Sequence, residues 1–235
     1  MFNLRRSCLV RPIGVLTLWI LTGTAFAVDG VYEINASCAT VGCFSGDSPG
    51  YPVTISQPGS YRLTSNLQTT DPDVTLIFVS SHNVSIDLNG FALLGPAQCT
   101  GTPVTSCTNT GIGHGINANL RDGLVVRNGA IHGLGARGII ARYNALIESV
   151  VLTENGAAGV RVEEGGILRR VIARRNGGNG AEPPLALVYD SIFTSNGDRG
   201  IVGGYCSNIV SRDNQSGELC FGIAPNYCDT PANCD

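Results

Sequence analysis

Lysine is absent from this chain, so all 15 of its basic residues are arginine. Histidine is scarce, with three in 235 residues, and no two cysteines have the Cys-x-x-Cys spacing of many zinc sites. These absences argue against a structural metal centre. The formal net charge of −3 argues against a nucleic-acid-binding protein, which needs a basic surface. The only tryptophan is Trp19, so a sugar-stacking surface further along the chain would use Tyr or Phe.

The first 27 residues have the features of a secretory signal peptide. Arginines cluster before residue 12, Ile13–Leu21 is apolar, and Ala25–Ala27 is a small-x-small cleavage site. The apolar run is too short to span a bilayer and also be followed by such a site, although a membrane anchor is the alternative interpretation. We therefore expect a secreted or periplasmic protein whose mature chain begins near Val28.

Eight cysteines remain after that cleavage, and an even number in an exported chain indicates disulfides. Eight cysteines permit about 105 connectivities, so proximity along the chain is the only guide to the pairing. The predicted pairs are Cys38–Cys43, Cys99–Cys107, Cys206–Cys220 and Cys228–Cys234.

The rest of the chain contains a repeat of about 21 residues. Five segments align almost without gaps, and each ends in Gly followed by a small or branched apolar residue. These segments are Val125–Ile139, Leu146–Val160, Ile167–Ala181, Leu187–Ile201 and Asn208–Ile223. Such a period, built from Val/Ile-rich runs and Asn-Gly turns without helical periodicity, predicts an all-β solenoid in which each repeat forms one rung.

The repeat divides the mature chain, residues 28–235, into three parts of a single domain. We predict an N-terminal head over residues 28–73, about seven rungs over residues 74–223 and a disulfide-bearing tail over residues 224–235. The Thr/Pro/Gly-rich segment Pro96–Thr110 is expected to be a loop.

Equivalent positions of successive rungs should be spatial neighbours about 4.8 Å apart, the spacing between hydrogen-bonded strands. Asn155, Asn176 and Asn196 share one such column, each followed by Gly, and their amides are expected to hydrogen-bond to one another. Asn214 falls outside the Asn-Gly pattern, so we expect it to contribute less.

Charged residues also align between rungs. Arg127, Glu148 and Arg169 share a column with alternating sign, and opposite charges at that spacing attract. The same alignment predicts two further ion pairs, Glu154–Arg175 and Arg170–Asp190.

The segment Asn83–Phe91, with sequence NVSIDLNGF, and the Asn-Gly rungs that follow resemble the right-handed parallel β-helix proteins of the pectin-lyase-like superfamily. The resemblance covers Tyr51–Ile223 and implies a right-handed parallel β-helix. It does not settle function, because that superfamily includes polysaccharide lyases, glycoside hydrolases, epimerases, adhesins and exported proteins of other kinds.

The motifs of the enzymes in that superfamily are mostly missing. Gly113-His114-Gly115 matches one polygalacturonase motif, but there is no Asp-Asp pair, and a chain without lysine has no Arg-x-Lys. Arg137-Gly138-Ile139 occupies the same repeat position as His114, so the match is explained by the repeat. Acidic residues are dispersed, whereas calcium in a lyase needs 6–8 oxygen ligands; we therefore predict no metal and no cofactor, with calcium as the alternative.

One column of the alignment could bind a ligand. This polar column comprises His114, Arg137, Ala158, Asn179 and Arg199. A line of donors on a flat sheet suits an extended polymer, and the arginines favour an acidic polysaccharide. The leading hypothesis is an exported, non-catalytic surface or polysaccharide-interaction protein whose ligand residues are His114, Arg137, Asn179 and Arg199. The alternatives are a small polysaccharide lyase or glycoside hydrolase, a purely structural repeat protein, and solvated arginines without a ligand.

Overall fold

A computed structural model of the chain describes residues 30–222 and 227–228. The predicted signal peptide and Cys234 lie outside these residues. One short helix, α1 (Ala36–Ala39), accompanies the strands. The strands are β1 (Val31–Ile34), β2 (Val53–Ile55), β3 (Gly59–Leu63), β4 (Leu67–Gln68), β5 (Ile77–Val79), β6 (Val84–Asp87), β7 (Ala92–Leu94), β8 (Gln98–Gly101), β9 (Val104–Thr108), β10 (Ile116–Asp122), β11 (Val125–His132), β12 (Ile139–Tyr143), β13 (Leu146–Thr153), β14 (Val160–Glu164), β15 (Ile167–Arg169), β16 (Ile172–Arg174), β17 (Ala181–Glu182), β18 (Leu187–Thr194), β19 (Val202–Arg212), β20 (Leu219–Gly222) and β21 (Tyr227–Cys228).

The strands form a parallel β-solenoid of about eight turns, which confirms the predicted fold class. Sheet A has 13 strands and follows the path β1-β3-β6-β11-β13-β15-β18-β19-β20, with shorter strands alongside. Sheet B has six strands in the order β17-β14-β12-β10-β5-β2. Side chains alternate along each strand, so every second residue, mostly Ile, Val or Leu, is buried between the sheets.

The solenoid has about one turn more than the repeat alone predicts, because the strands assigned to the head also stack. Strand β1 pairs in parallel with β3, and β3 pairs in parallel with β6. Strand β2 pairs with β5 in sheet B. These first turns lack the Asn-Gly signature, so the alignment did not detect them.

Columns of left-handed backbone make the bends of each rung. One column precedes sheet A and comprises Asn83, Gly123, Asn144 and Gly165. A second bends sheet A in its middle and comprises Asn128, Ser149, Arg170, Asp190 and Asn208. A third follows sheet A and comprises Gly133, Glu154, Arg175, Ser195 and Asp213. A residue at positive φ turns the chain sharply, so repeating it at the same place in each rung keeps the bends aligned.

The Gly that ends each repeat is required by close approach between rungs. A Cβ at Gly138 would lie 2.6 Å from the carbonyl oxygen of Gly159, and one at Gly159 would lie 2.6 Å from that of Gly180. Both distances are well below van der Waals contact, so any larger residue would push the rungs apart at this corner.

The predicted asparagine column is a buried hydrogen-bonded ladder. Asn155 donates from Nδ2 to Oδ1 of Asn176 at 2.9 Å, and Asn176 donates to Oδ1 of Asn196 at 3.0 Å. Each accepting oxygen also takes the backbone N–H of the asparagine above it. The second Nδ2 hydrogen of Asn176 bonds to the carbonyl of Leu152 at 3.1 Å. All three side chains are fully buried, so each pair of rungs is joined by bonds shielded from water.

Asn214 extends this ladder, and the expectation that it lies outside was wrong. Its Oδ1 accepts from Nδ2 and from the backbone N–H of Asn196, both at 2.9 Å. The step from Asn196 is 18 residues because this rung is shorter. No glycine follows Asn214, so the Asn-Gly pattern does not include it. The asparagine ladder therefore comprises Asn155, Asn176, Asn196 and Asn214.

The outer face of sheet A carries a longer charge column than predicted. Strand register aligns six residues of strictly alternating sign: Glu33, Arg62, Asp87, Arg127, Glu148 and Arg169. Contacts of 2.9 Å for Glu33–Arg62, 3.1 Å for Asp87–Arg127 and 2.7 Å for Glu148–Arg169 join neighbours in this charge ladder. The neighbouring guanidinium of Arg169 holds the pKa of Glu148 below its usual range. A slip by one rung would place like charges together.

The two further ion pairs predicted from the alignment differ in outcome. Glu154 and Arg175 are in contact at 3.2 Å, as predicted. Arg170 and Asp190 are column neighbours, but Arg170 contacts Glu148 and Ser149 on the preceding rung. Asp190 instead accepts a hydrogen bond from Asn208 at 2.6 Å. All four residues of the two predicted pairs occupy left-handed bends, so the bend alone does not explain the difference. Arg170 and Asp190 each have a competing partner, Glu148 and Asn208 respectively.

A carboxylate closes each end of sheet B. At the N-terminal end, Asp47 Oδ1 accepts the N–H of Thr54 in β2 at 2.8 Å. At the C-terminal end, the buried Glu218 accepts the N–H of Gly200 at 3.3 Å and that of Ile201 at 2.7 Å. Burial raises the pKa of Glu218, although these hydrogen bonds oppose the shift. These carboxylates replace the carbonyls of a further rung and cover an edge that could otherwise pair with another chain.

Three of the four predicted cysteine pairs are joined: Cys38–Cys43, Cys99–Cys107 and Cys206–Cys220. The fourth includes Cys234 and stays a prediction. Such disulfides are typical of an oxidising compartment.

The segment Pro96–Thr110, expected to be a loop, contains an antiparallel hairpin of β8 and β9 in which Cys99 and Cys107 lie opposite each other. Arg175 donates to the carbonyls of Cys99 at 2.6 Å and Gly101 at 3.0 Å, which fastens the hairpin across the rungs.

The ladder predicts that Asn176→Ala lowers the free energy of unfolding by on the order of 2 kcal/mol, because buried partners of its amide lose their hydrogen bonds. Asn66→Ala is the matched control, since Asn66 is exposed and water can replace it as acceptor for the backbone N–H of Ala92. The control should change stability by less than about 0.5 kcal/mol. Urea denaturation measures both; equal midpoints would contradict the ladder.

Candidate functional site

The polar column lies in the turn that leads into sheet B. Backbone bonds stack its members: Gly115 donates to the carbonyl of Arg137 at 3.2 Å, Gly159 to that of Asn179 at 3.0 Å, and Gly180 to that of Arg199 at 2.9 Å. The five positions therefore follow one another along the solenoid, each beside the first strand residue of sheet B.

Direct contacts join the predicted ligand residues in two pairs. The backbone N–H of Arg137 donates to Nδ1 of His114 at 3.3 Å. The backbone N–H of Arg199 donates to Oδ1 of Asn179 at 3.0 Å. Ala158 separates the two pairs and has no polar side chain to bridge them.

Glu182, on the outer face of β17, bridges that gap. One oxygen, Oε2, lies 3.4 Å from both Nε and Nη2 of Arg137. The other, Oε1, accepts from Nδ2 of Asn179 at 3.1 Å. The two predicted ligand residues are thus held by a carboxylate that the sequence argument did not include.

Glu182 belongs to a wider arginine–glutamate network on the outer face of sheet B. Arg161 contacts Glu182 and Glu163, both at 3.6 Å. Glu163 also contacts Arg142 at 3.6 Å. The order of contacts is therefore Arg142–Glu163–Arg161–Glu182–Arg137, in which each carboxylate lies between two guanidinium groups.

Sequence reasoning missed four members of this network, although the period contained their signal. Arg142 and Glu163 are 21 residues apart, and so are Arg161 and Glu182. The register pairs Arg161 directly with Glu182. The predicted charge pairs came from the columns of sheet A and the turns, whereas these four residues occupy outward positions of sheet B.

Arg199 is the least restrained guanidinium of the polar column. Its one ion-pair contact is with the neighbouring Asp198, at 3.9 Å, and Nε has no hydrogen-bond partner among the described residues. Arg137, in contrast, is held by Glu182. The two arginines that sequence analysis treated as equivalent therefore differ in their freedom to meet a ligand.

The environment of His114 favours its neutral form. Burial lowers the pKa of His114, and the positive charge of Arg137 lowers it further. Because Nδ1 accepts the N–H of Arg137, a hydrogen on a neutral ring lies on Nε2. The imidazole therefore offers a neutral donor beside the arginines.

The site does not have the features of a metal centre. Among residues 30–222 and 227–228, no group of three His, Cys, Asp or Glu side chains converges as metal ligands would. Glu163 and Glu182 are the only carboxylates in the network, and guanidinium groups flank both. The described part of the chain also has no helix long and apolar enough to cross a membrane.

No protein-family model, curated protein or solved structure matches the chain. The geometry of this face and the chemistry of its side chains are therefore the basis for inferring a function.

We expect the ring of His114 to titrate below the ordinary histidine range, and Arg137→Gln to move its pKa upwards because a nearby positive charge is removed. In the wild type, protonation of His114 should consequently cost stability as the pH falls. NMR titration of the ring measures this, with Arg199→Gln as a control that removes a charge from another rung. An unshifted His114, or equal effects of the two variants, would contradict the assigned environment.

Proposed function

We propose that this protein is an exported, non-catalytic β-helix protein of the right-handed, pectin-lyase-like kind, and that the outer face of sheet B binds an acidic polysaccharide lying along the solenoid axis. The observation that carries the proposal is a group of four guanidinium groups on that face, Arg137, Arg142, Arg161 and Arg199, whose ion-pair contacts are all 3.4 Å or longer. Together with Glu163, Glu182 and Asp198 they carry one net positive charge, on a chain whose formal charge is −3.

The spacing of these groups supports an extended ligand. Arg137 and Arg199 are three rungs apart in the polar column, about 14 Å at the inter-strand spacing. Arg161 and Arg142 lie beside that line on the flat sheet. A polymer that follows the column would meet a guanidinium group on most of the rungs it crosses, and guanidinium binds carboxylates in a bidentate fork.

A second candidate, a small lyase or hydrolase, is favoured by one observation. Glu163 and Glu182 flank Arg161, and glycoside hydrolysis uses two carboxyl groups on either side of the bond. In this protein each of those carboxylates is already shared by two arginines. A hydrolase needs one of them free to act as an acid or nucleophile, so binding is the better-supported function.

The test is retention of the mature protein on immobilised polygalacturonate or alginate at low salt. Arg137→Ala/Arg199→Ala should abolish a retention that weakens with added salt, because it removes two charge-assisted contacts. The matched control is Arg174→Ala/Arg212→Ala, which removes the same charge from the outer face of sheet A, where these residues lie two rungs apart.

Three outcomes bear on the proposal. Loss of retention in the first variant alone supports it. Equal loss in both variants, or no retention of the wild type, overturns it. Release of unsaturated or reducing sugar from the polymer by the wild type would instead support the enzymatic candidate.

A further inference from the structure

The carboxylate of Glu182 contacts the same hydrogen-bond donors that a carboxylate of the proposed ligand would need. Its Oε2 lies among Nε and Nη2 of Arg137, at 3.4 Å, and Nη1 of Arg161, at 3.6 Å. Its Oε1 takes the amide hydrogen of Asn179 at 3.1 Å. Two guanidinium groups and one amide from three successive rungs thus converge on a single carboxyl group.

These contacts are long for charge-assisted bonds, which are normally about 2.7–2.9 Å. Two contacts of the charge ladder on sheet A meet that range, at 2.7 Å for Arg169–Glu148 and 2.9 Å for Arg62–Glu33, and the third, Arg127–Asp87, is 3.1 Å. No contact between an arginine and a glutamate of the sheet B network is shorter than 3.4 Å. Arginine–glutamate contacts are therefore shorter in the charge ladder of sheet A than in the network of sheet B.

The network also remains in contact with solvent. The side chains of Glu182, Arg137 and Arg161 are 20%, 27% and 40% exposed. A solvent-screened ion pair of this kind contributes at most about 1 kcal/mol. A carboxylate arriving from solution can exchange with that of Glu182 without opening the core.

We propose that Glu182 is an internal competitor that occupies the carboxylate subsite of this face, and that a uronate of an acidic polysaccharide displaces it on binding. This inference rests on the proposed function and assigns its ligand class. Arg199, whose ion-pair contact among the described residues is the 3.9 Å one with Asp198, makes the first contact with the polymer. Adjacent uronates then compete for Arg137, Arg161 and Asn179.

Competition makes the face selective for polymers. A single uronate gains little, because it only exchanges one carboxylate for another. A chain already bound at Arg199 presents its next carboxylates at high effective concentration, so displacement becomes favourable. Retention should therefore depend on chain length and on free carboxylates, and methyl esterification of the polymer should remove it.

The test is Glu182→Gln, which keeps the shape of the side chain and removes the competing charge. Binding to sodium polygalacturonate should tighten by about tenfold, the equivalent of about 1.4 kcal/mol. Glu164→Gln is the matched control, because it removes the same charge from an exposed residue of the neighbouring strand β14, outside the network. Its affinity should stay within about twofold of the wild type, an energy difference below 0.5 kcal/mol at about 1.4 kcal/mol per tenfold.

A second variant separates competition from a general charge effect. In the background Arg137→Ala, which keeps Arg161 and Arg199 for binding, Glu182 loses its closest guanidinium group, so Glu182→Gln should increase affinity by clearly less than in the wild type. Methyl-esterified polygalacturonate should show no gain with any of these variants.

The outcomes distinguish this inference from the function on which it rests. If the wild type and Glu182→Gln both fail to bind polygalacturonate, the proposed function fails. If the wild type binds but Glu182→Gln binds equally or more weakly, only the competitor role fails, and Glu182 is then a support for Arg137. An equal gain in Glu164→Gln also overturns the competitor role. Equal thermal midpoints for all variants establish that the differences arise at the surface.

Discussion

The asparagine ladder is the interaction on which the register of this solenoid depends. Parallel strands can slide by two residues without changing which side chains face the core, so apolar burial alone does not fix how rungs align. A buried amide that bonds to the equivalent amide above and below is satisfied in one alignment only, because any slip leaves its polar atoms unpaired at a cost of several kcal/mol over the ladder. The bends of positive φ, the glycine corner and the charge ladder all agree with that alignment.

The fixed register explains how the surface of this protein is organised. Residues at equivalent positions of successive rungs are neighbours along the solenoid axis. Side chains that interact on the surface are therefore about one repeat apart in the sequence. Sheet A uses its columns for tight, alternating charge pairs that add to the register. Sheet B carries the same residue types at longer distances, around Arg161 and Glu182. This difference between the two faces is the physical basis for proposing that sheet B, and not sheet A, binds the ligand.

Much of the fold was predictable because, in a solenoid, the repeat period shows which residues are adjacent in space. The period predicted the parallel sheets and the columns of Asn155 and Arg127, and proximity along the chain predicted three cysteine pairs. The misses occur where the period breaks. The hairpin around Cys99 is an insertion, and the turns before Val84 do not share the Asn-Gly signature. Asn214 belongs to a shortened rung, so its place in the ladder could be found only in three dimensions.

The candidate site was predicted less completely than the fold. The alignment identified Arg137, Asn179 and Arg199 as column neighbours, but a column describes one position per rung. Glu182 reaches Arg137 from another position two rungs away, and such diagonal contacts depend on side-chain direction at a corner. Arg170 likewise contacts Glu148 and not Asp190, although Arg175, at another bend, meets its column neighbour Glu154. Backbone periodicity therefore gives the possible partners of a side chain at a bend, and the choice among them comes from the structure.

The most direct measurement of the central claim is hydrogen exchange of the asparagine side-chain amides, followed by NMR. The account predicts that the Nδ2 hydrogens of Asn176, buried and bonded to Asn196 and Leu152, exchange as slowly as the backbone amides of the core strands, which open only with the whole solenoid. The side-chain amide of the exposed Asn66 provides the fast reference. Exchange of Asn176 as rapid as that of Asn66 would contradict the claim that a buried amide ladder fixes the register of the rungs.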